Sequence, residues 1–253
     1  PDNKILDYAL AENATMVKPK RQMNYLIALL AGLALPFIIM LIYDFFNDKL
    51  VDLKEISRRT KVPVIGTLGH NRYETELPAI DKPKSTLTES FRGLRTNLQY
   101  LLREPDKKVV SVSSTVVGEG KTFITANLAA ITAVTGKKVL IIGLDLRKPR
   151  LHRLMGYTGT VGVSTYLIGR SNIEDIVFPS QVDNLYFAPS GPIPPNPAEL
   201  LGSTKMDEFM VWARSNFDYV VVDSPPVAIV SDAFLIARFT DANLFVVRFG
   251  YSS

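Results

Sequence analysis

The sequence predicts a doubly wound, mostly parallel α/β sheet that follows one membrane-spanning helix. Short apolar runs rich in Val and Ile alternate with helical patterns between residues 85 and 249. Strands that are buried on both faces of a parallel sheet have this composition. A glycine-containing segment joins the first apolar run to the next helical pattern, and an uncharged stretch of 19 residues lies near the beginning of the chain.

The composition excludes several kinds of chemistry. The 253 residues contain no cysteine and two histidines, which excludes disulfides, thiolate metal sites, iron–sulfur clusters, cysteine nucleophiles and a histidine-rich metal site. Lys and Arg number 29 against 25 Asp and Glu, a formal net charge of +4. Because this mild excess is spread along the chain, we expect no nucleic-acid partner.

The uncharged stretch Tyr25–Tyr43 is predicted to cross a membrane. As a helix it would span roughly 28 Å, close to the ~30 Å hydrocarbon core of a bilayer. The terminal tyrosines would lie at the membrane–water interfaces, and Pro36 is tolerated inside a membrane helix. We assign residues 25–46 to this helix; the alternative is a buried helix in a soluble core.

The residues around this helix are interpreted as connecting segments. Residues 1–24 would be an extracytoplasmic stub, and because the chain opens without Met, we expect an upstream part. Residues 47–84 would be a cytoplasmic linker with a short helix over 52–60 and an extended piece over 62–66. Residues 71–84 are polar and contain two prolines, which is typical of a linker.

A regular domain is predicted over residues 85–253. Its first helix is indicated by apolar residues at steps of four and three from Leu87 to Leu101. The pattern then alternates, and we predict strand Lys108–Ser114, helix Lys121–Thr135, strand Lys138–Ile142, helical or loop pieces to about Pro179, strand Asn184–Ala188, helix Ala198–Ser215, strand Tyr219–Asp223, helix Asp232–Phe239 and strand Asn243–Phe249.

The segment between the first strand and the next helix reads SSTVVGEGKT over residues 113–122. Backbone N–H groups of such a P-loop cradle phosphates, assisted by the dipole of the following helix. Lys121 would reach the β- and γ-phosphates and Thr122 would ligate Mg²⁺. The first glycine of the usual pattern is replaced by Thr115. We assign ATP binding to Val117, Gly118, Glu119, Gly120, Lys121, Thr122 and Phe123.

Two further buried strands end in acidic residues. The run YVVVD places Asp223 at the carboxyl tip of its strand, where ligands bind in open α/β sheets. The run VLIIGLDLR places Asp145 and Arg147 just beyond another strand. We predict that Asp223 and Asp145 serve Mg²⁺ together with Thr122, and that Arg147 neutralises phosphate charge. Lys121, Asp145, Asp223 and Arg147 are thus the candidate catalytic residues.

Together these motifs resemble the bacterial tyrosine kinases of capsule and exopolysaccharide export. The family's P-loop is matched at Ser114–Thr122, its Walker B strand at Asp223–Pro226 and its Pro-Pro-Asn-Pro-x-Glu-Leu-Leu stretch at Pro194–Leu201. The resemblance implies an ATP- and Mg²⁺-dependent protein tyrosine autokinase. It would be anchored in the inner membrane, with its kinase domain in the cytoplasm, where ATP is found.

The resemblance also implies partners. Glu89, Arg92 and Arg95 match a segment that mediates contacts in a ring-like homo-oligomer, although from the residues alone they would form a solvated helix face. The other implied partners are the polysaccharide polymerisation and export machinery and a tyrosine phosphatase. The chain would thereby regulate polysaccharide polymerisation and export.

The sequence departs from the family at specific positions. Gly143 stands where the family has an Asp near the metal and the acceptor, so an alternative is a catalytically weakened ATP-binding module that acts through nucleotide-dependent oligomerisation. A simple ATPase is a further possibility. Partition and division-site ATPases carry an additional Lys where this chain has Val116. The family's tyrosine-rich tail is represented by Tyr251 alone, so we expect the acceptor tyrosines to lie outside this chain.

Overall fold

The computed structural model describes residues 20–45, 56, 58, 60–102, 108–227 and 232–252. The chain divides into two units, residues 1–48 and residues 49–253. The predicted helix over 52–60 falls largely outside the described residues.

The described part of the first unit is helix α1, Arg21–Phe45, which contains Pro36. Its segment Arg21–Tyr43 contains an 18-residue window with a mean hydropathy of 2.6 and is long and apolar enough to cross a membrane. The predicted span Tyr25–Tyr43 lies inside this helix. Residues 1–19 of the predicted extracytoplasmic stub lie outside the described residues.

The second unit is built on a sheet with the strand order β3-β4-β2-β5-β1-β6. Every neighbouring pair is parallel except β3 with β4. The strands are β1 Lys108–Ser114, β2 Val139–Gly143, β3 Phe178–Pro179, β4 Leu185–Ala188, β5 Tyr219–Asp223 and β6 Ala242–Val246. The mostly parallel α/β class predicted from the alternating apolar runs is confirmed.

Helices connect the strands and cover the sheet. They are α2 Pro78–Asp81, α3 Thr86–Leu101, α4 Lys121–Ala133, α5 Leu151–Leu154, α6 Val163–Leu167, α7 Pro197–Leu201, α8 Thr204–Asn216 and α9 Asp232–Ala237. Helix α3 begins after Ser85, whose hydroxyl accepts a hydrogen bond from the Thr88 N–H, as an N-cap residue does.

The strands are buried on both faces. Val110 and Val221 belong to one apolar cluster together with Phe91 of α3. Val109 and Val220, their neighbours in sequence, belong to a second cluster on the opposite face. Successive side chains of a strand point to opposite faces. Continuous runs of Val and Ile therefore contribute to the apolar clusters on both faces of the sheet.

Several elements differ from the sequence prediction, and the strand predicted over Asn243–Phe249 ends at Val246. The helix predicted over Ala198–Ser215 is interrupted, because Ser203 accepts a hydrogen bond from the Met206 N–H and caps a new helix. The short antiparallel strand β3 was not predicted. It consists of Phe178 and Pro179 at the edge of the sheet, a position where proline is tolerated.

The segment interpreted as a linker contains helix α2. The Asn127 side chain of α4 accepts a hydrogen bond from the Ala79 N–H at 3.1 Å and donates one to the Glu76 carbonyl at 2.9 Å. Ala79 is buried. These contacts are distant in sequence, so local composition gave no sign of them. The boundary of the domain at residue 85 stays a prediction.

Candidate functional site

The loop between β1 and α4 has the conformation expected of a phosphate-binding loop. Gly118 and Gly120 have φ values of +99° and +96°, a left-handed region that glycine adopts without a steric penalty. Within the loop, the Val116 N–H donates to Glu119 Oε2 at 2.9 Å, and Ser114 Oγ donates to the Val116 carbonyl at 2.8 Å. The N-terminal N–H groups of the 13-residue helix α4 follow directly.

Lys121 lies between two carboxylates. Its Nζ atom is 2.9 Å from Asp145 Oδ2 and 3.1 Å from Asp223 Oδ1. Strands β2 and β5 are parallel neighbours that pair Gly143 with Asp223, which brings their carboxyl ends to one edge of the sheet. The structure therefore brings together the three predicted residues Lys121, Asp145 and Asp223.

The electrostatics of this cluster follow from its burial. Burial alone would lower the pKa of Lys121, but the carboxylates of Asp223 and Asp145 outweigh it and raise that pKa. Burial raises the pKa of Asp223, with Lys121 and Thr122 opposing the shift. Two carboxylates face one ammonium group, so the cluster carries an excess of negative charge when all three groups are ionised.

Thr122 completes a set of oxygen ligands. Its Oγ1 atom donates to Asp223 Oδ2 at 2.8 Å, so the hydroxyl and the carboxylate share one small volume. Among the described residues, no three His, Cys, Asp or Glu side chains form a metal-binding group. Mg²⁺ is typically held by one or two carboxylates, a hydroxyl and the phosphates of a nucleotide. The oxygen donors of Thr122, Asp223 and Asp145 fit that requirement.

Asp145 is held by the main chain around it. The N–H groups of Leu144 and Asp145 both donate to the Asp223 carbonyl, at 2.9 and 3.1 Å. The Lys148 N–H donates to Asp145 Oδ1 at 3.0 Å. Asp145 as a whole is 3% exposed. Burial and these hydrogen bonds together fix the direction of its carboxylate within the cluster.

Arg147 is paired with a residue that the sequence prediction did not assign to the site. Its Nε and Nη2 atoms donate to both carboxylate oxygens of Asp232, at 2.7 and 3.1 Å. The sequence offered Asp232 only as the first residue of an apolar helix pattern. Neutralisation of phosphate by Arg147 stays a prediction.

Residues near the end of the chain contact the P-loop. Arg248 Nη1 donates to the Gly118 carbonyl at 3.1 Å, and the Tyr251 hydroxyl donates to the Val117 carbonyl at 2.9 Å. Ser252 Oγ donates to Glu119, which is buried. These partners lie about 130 residues from the loop in sequence, so no spacing in the sequence indicated them.

The remaining predicted residues lie elsewhere. The Phe123 ring packs against Phe91, with ring centroids 5.9 Å apart, and the assignment of Phe123 to ATP binding stays a prediction. On α3, Glu89 pairs with Arg92 within the helix, and Arg95 Nη1 donates to the Ile131 carbonyl at 3.0 Å. The assignment of Glu89, Arg92 and Arg95 to contacts between subunits stays a prediction.

Comparison with known proteins identifies similar sequences and structures. Residues 107–247 match the AAA domain family. Tyrosine-protein kinase wzc of Salmonella typhimurium is 31% identical over 268 residues, and tyrosine-protein kinase YwqD of Bacillus subtilis is 39% identical over 180 residues. The kinase domain of the Escherichia coli tyrosine kinase ETK superposes with a TM-score of 0.71 at 31% identity, covering 78% of this chain and 80% of that domain.

The matches differ in extent. The alignment with the Salmonella kinase covers 100% of this chain and 37% of that protein. The alignment with the Bacillus kinase covers 71% of this chain and 76% of that protein. This chain thus spans the greater part of one relative and somewhat more than a third of the other.

Proposed function

Because the chain belongs to the bacterial tyrosine-protein kinases, we propose that it is an ATP-dependent protein tyrosine autokinase of the inner membrane. In this proposal it regulates the polymerisation and export of a capsule or exopolysaccharide. The observation that carries the proposal is the buried cluster of Lys121, Asp145 and Asp223 at the end of the P-loop, with Thr122 beside it.

The residues of this cluster have separate roles in the proposed reaction. A tyrosine oxygen attacks the γ-phosphorus of ATP, the bond to the bridging β–γ oxygen breaks, and ADP, phosphotyrosine and one proton are the products. Lys121 and the P-loop N–H groups stabilise the charge on the transferred phosphoryl group. Thr122, Asp223 and Asp145 would hold Mg²⁺, which would neutralise phosphate charge when bound.

The proposed membrane anchor is helix α1. Its segment Arg21–Tyr43 has the length and hydropathy of a membrane span. ATP is a cytosolic substrate, so the P-loop domain would lie on the cytoplasmic side. This arrangement would place the kinase beside the membrane-bound machinery that polymerises and exports polysaccharide.

Self-association is the proposed route to phosphorylation. On α3, Glu89 is exposed and Arg92 is partly exposed, so both side chains can be reached by a second copy of the chain. Neighbouring copies in a ring would phosphorylate one another's tyrosines, and a tyrosine phosphatase would reverse the modification. The ring and the phosphatase are supported by the family resemblance alone.

The experiment is incubation of the full-length protein with ATP and Mg²⁺, followed by phosphotyrosine mapping by mass spectrometry. We expect phosphotyrosine in the wild-type protein and a loss of at least a hundredfold in Asp223→Asn and Thr122→Ala. The matched control is Asp207→Asn, which changes an exposed carboxylate on α8. Equal phosphorylation of wild type and Asp223→Asn would contradict the proposal.

A second candidate function is a nucleotide-binding module with weakened catalysis. Gly143 favours it, because β2 ends without a carboxylate directly opposite Asp223. This candidate predicts that ATP drives oligomerisation without formation of phosphotyrosine. Analytical ultracentrifugation with and without ATP, combined with the phosphotyrosine map, separates the two functions.

A further inference from the structure

A bidentate ion pair joins the loop after β2 to the start of α9. Arg147 donates from Nε and Nη2 to the two carboxylate oxygens of Asp232. Asp232 is 1% exposed, whereas the Arg147 side chain is 42% exposed. A planar guanidinium that binds both oxygens of a buried carboxylate fixes the orientation of both groups.

The loop that carries Arg147 also carries Asp145. Leu144 and Leu146 are buried in the apolar cluster on one face of the sheet, and the intervening Asp145 faces Lys121. The Asp223 carbonyl holds the loop on the side of β5 through two main-chain hydrogen bonds. The pair with Asp232 holds the loop at a second point, two residues beyond Asp145.

A direct contact between Arg147 and phosphate would compete with this arrangement. Two of the donor atoms of the guanidinium are already bound by Asp232. If Arg147 turned towards a nucleotide, the buried Asp232 carboxylate would lose its counter-ion, which is strongly unfavourable. In this arrangement Arg147 orients the loop that carries Asp145, through its ion pair with Asp232.

We propose that Arg147 and Asp232 are positioning residues whose ion pair holds the loop 144–148 so that the Asp145 carboxylate faces the magnesium site. The inference rests on the proposed function, because it takes Asp145 as a ligand of the Mg²⁺ that accompanies the nucleotide. It assigns a role to Asp232 and replaces the phosphate contact predicted for Arg147.

The test is calorimetric titration of ADP into the full chain in lipid nanodiscs, once with saturating Mg²⁺ and once with EDTA. The variants are Arg147→Met, Asp232→Asn and the double variant. The control is Arg238→Met, which removes an exposed ion pair with Asp207 at 2.9 Å. The ratio of the two dissociation constants measures how much Mg²⁺ strengthens nucleotide binding.

We expect each single variant to reduce that ratio about tenfold, as changes behind a metal ligand typically do. The double variant should reduce it no further, because both substitutions break the same pair. The affinity for ADP in EDTA should be unchanged in these variants. Arg147→Lys should keep part of the wild-type ratio, and the control Arg238→Met should have the same ratio as the wild-type protein. If the ion pair had only a structural role, its loss would change thermal stability and leave the ratio of the two dissociation constants unchanged.

Two results would overturn the inference. One is an unchanged ratio in both single variants. The other is a tenfold weaker affinity in EDTA for Arg147→Met alone, which would indicate a direct phosphate contact. Circular dichroism first verifies that each variant is folded. If Arg147→Met is unfolded, the double variant replaces it in the test, because it leaves neither charge of the pair unpaired. A failure of the proposed kinase function would appear separately, as absent phosphotyrosine in a protein that still binds ADP.

Discussion

The main chain of Gly143 lies so close to Ser190 that a Cβ atom on residue 143 would stand 2.7 Å from the Ser190 hydroxyl oxygen. The same Cβ atom would stand 3.3 Å from Leu151 Cδ2. Ser190 and Leu151 are both buried, so neither side chain can move freely into solvent. A side chain at position 143 and the Ser190 hydroxyl therefore compete for one volume.

This relationship predicts the result of restoring the carboxylate that the family carries. Gly143→Asp alone should lower the free energy of unfolding by about 1–3 kcal/mol, as overpacking does, and should not increase phosphotransfer. The double variant Gly143→Asp/Ser190→Ala removes the closest atom and should recover most of that stability. Urea unfolding and autophosphorylation assays measure both effects. A stable, more active single variant would contradict the predicted competition.

Gly118 should be essential to the loop for two reasons. Its φ of +99° disfavours any Cβ atom, and that atom would lie 2.9 Å from the Tyr251 hydroxyl. We expect Gly118→Ala to lower the free energy of unfolding by roughly 1–2 kcal/mol and to weaken ADP binding. Gly136→Ala is the matched control, because Gly136 has a φ of +83° and no neighbour within 4 Å of such an atom. It should lose similar stability and bind ADP normally.

The Lys121 ammonium should stabilise the fold as well as bind nucleotide. Lys121→Met leaves two buried carboxylates without a counter-ion and should lower the free energy of unfolding by about 3–5 kcal/mol. Adding Asp223→Asn should recover part of this loss, which chemical denaturation can measure. Because the pKa of Lys121 is raised above 10.5, its contribution is complete below pH 10.5 and is lost as pH rises through its pKa in the folded protein. No recovery in the double variant would count against this ion-pair arrangement.

Asp241 should stabilise the folded protein at neutral pH and lose this effect in acid. Burial would raise its pKa, but hydrogen bonds from Arg214 and the Val109 N–H lower it below 3.8. The contribution is therefore present above pH 3.8 and lost as pH falls through the lowered pKa. Because the side chain is 38% exposed, we expect Asp241→Asn to lower stability by about 1 kcal/mol at neutral pH. Thermal unfolding across pH 2–7 checks this, with Asp207→Asn as an exposed control; identical curves for wild type and Asp241→Asn would refute it.

The parts of the fold that local chemistry determines were predictable. Strands β1 and β5 begin and end at the predicted residues, because short runs rich in β-branched Val, bounded by polar residues, favour a strand over a helix. Lys121, Asp145 and Asp223 were predictable as a cluster, because strand order in a parallel sheet places carboxyl ends together.

The parts that depend on distant contacts were not predictable. Helix α2 is held by Asn127, and Arg147 is paired with Asp232, 85 residues further along the chain. The contact of Tyr251 with the P-loop spans 134 residues. In each case one polar side chain selects one partner among many of the same type, and no periodicity or spacing indicates which.

Lys121, Thr122 and Asp223 are proposed to form a site for a nucleotide with Mg²⁺ at the end of the P-loop. The most direct measurement is calorimetric titration of ATP or ADP into the full-length protein with and without Mg²⁺. We predict saturable binding that Mg²⁺ strengthens in the wild-type protein, and loss of that strengthening in Asp223→Asn. Absence of any magnesium-dependent binding by the wild-type protein would contradict the claim.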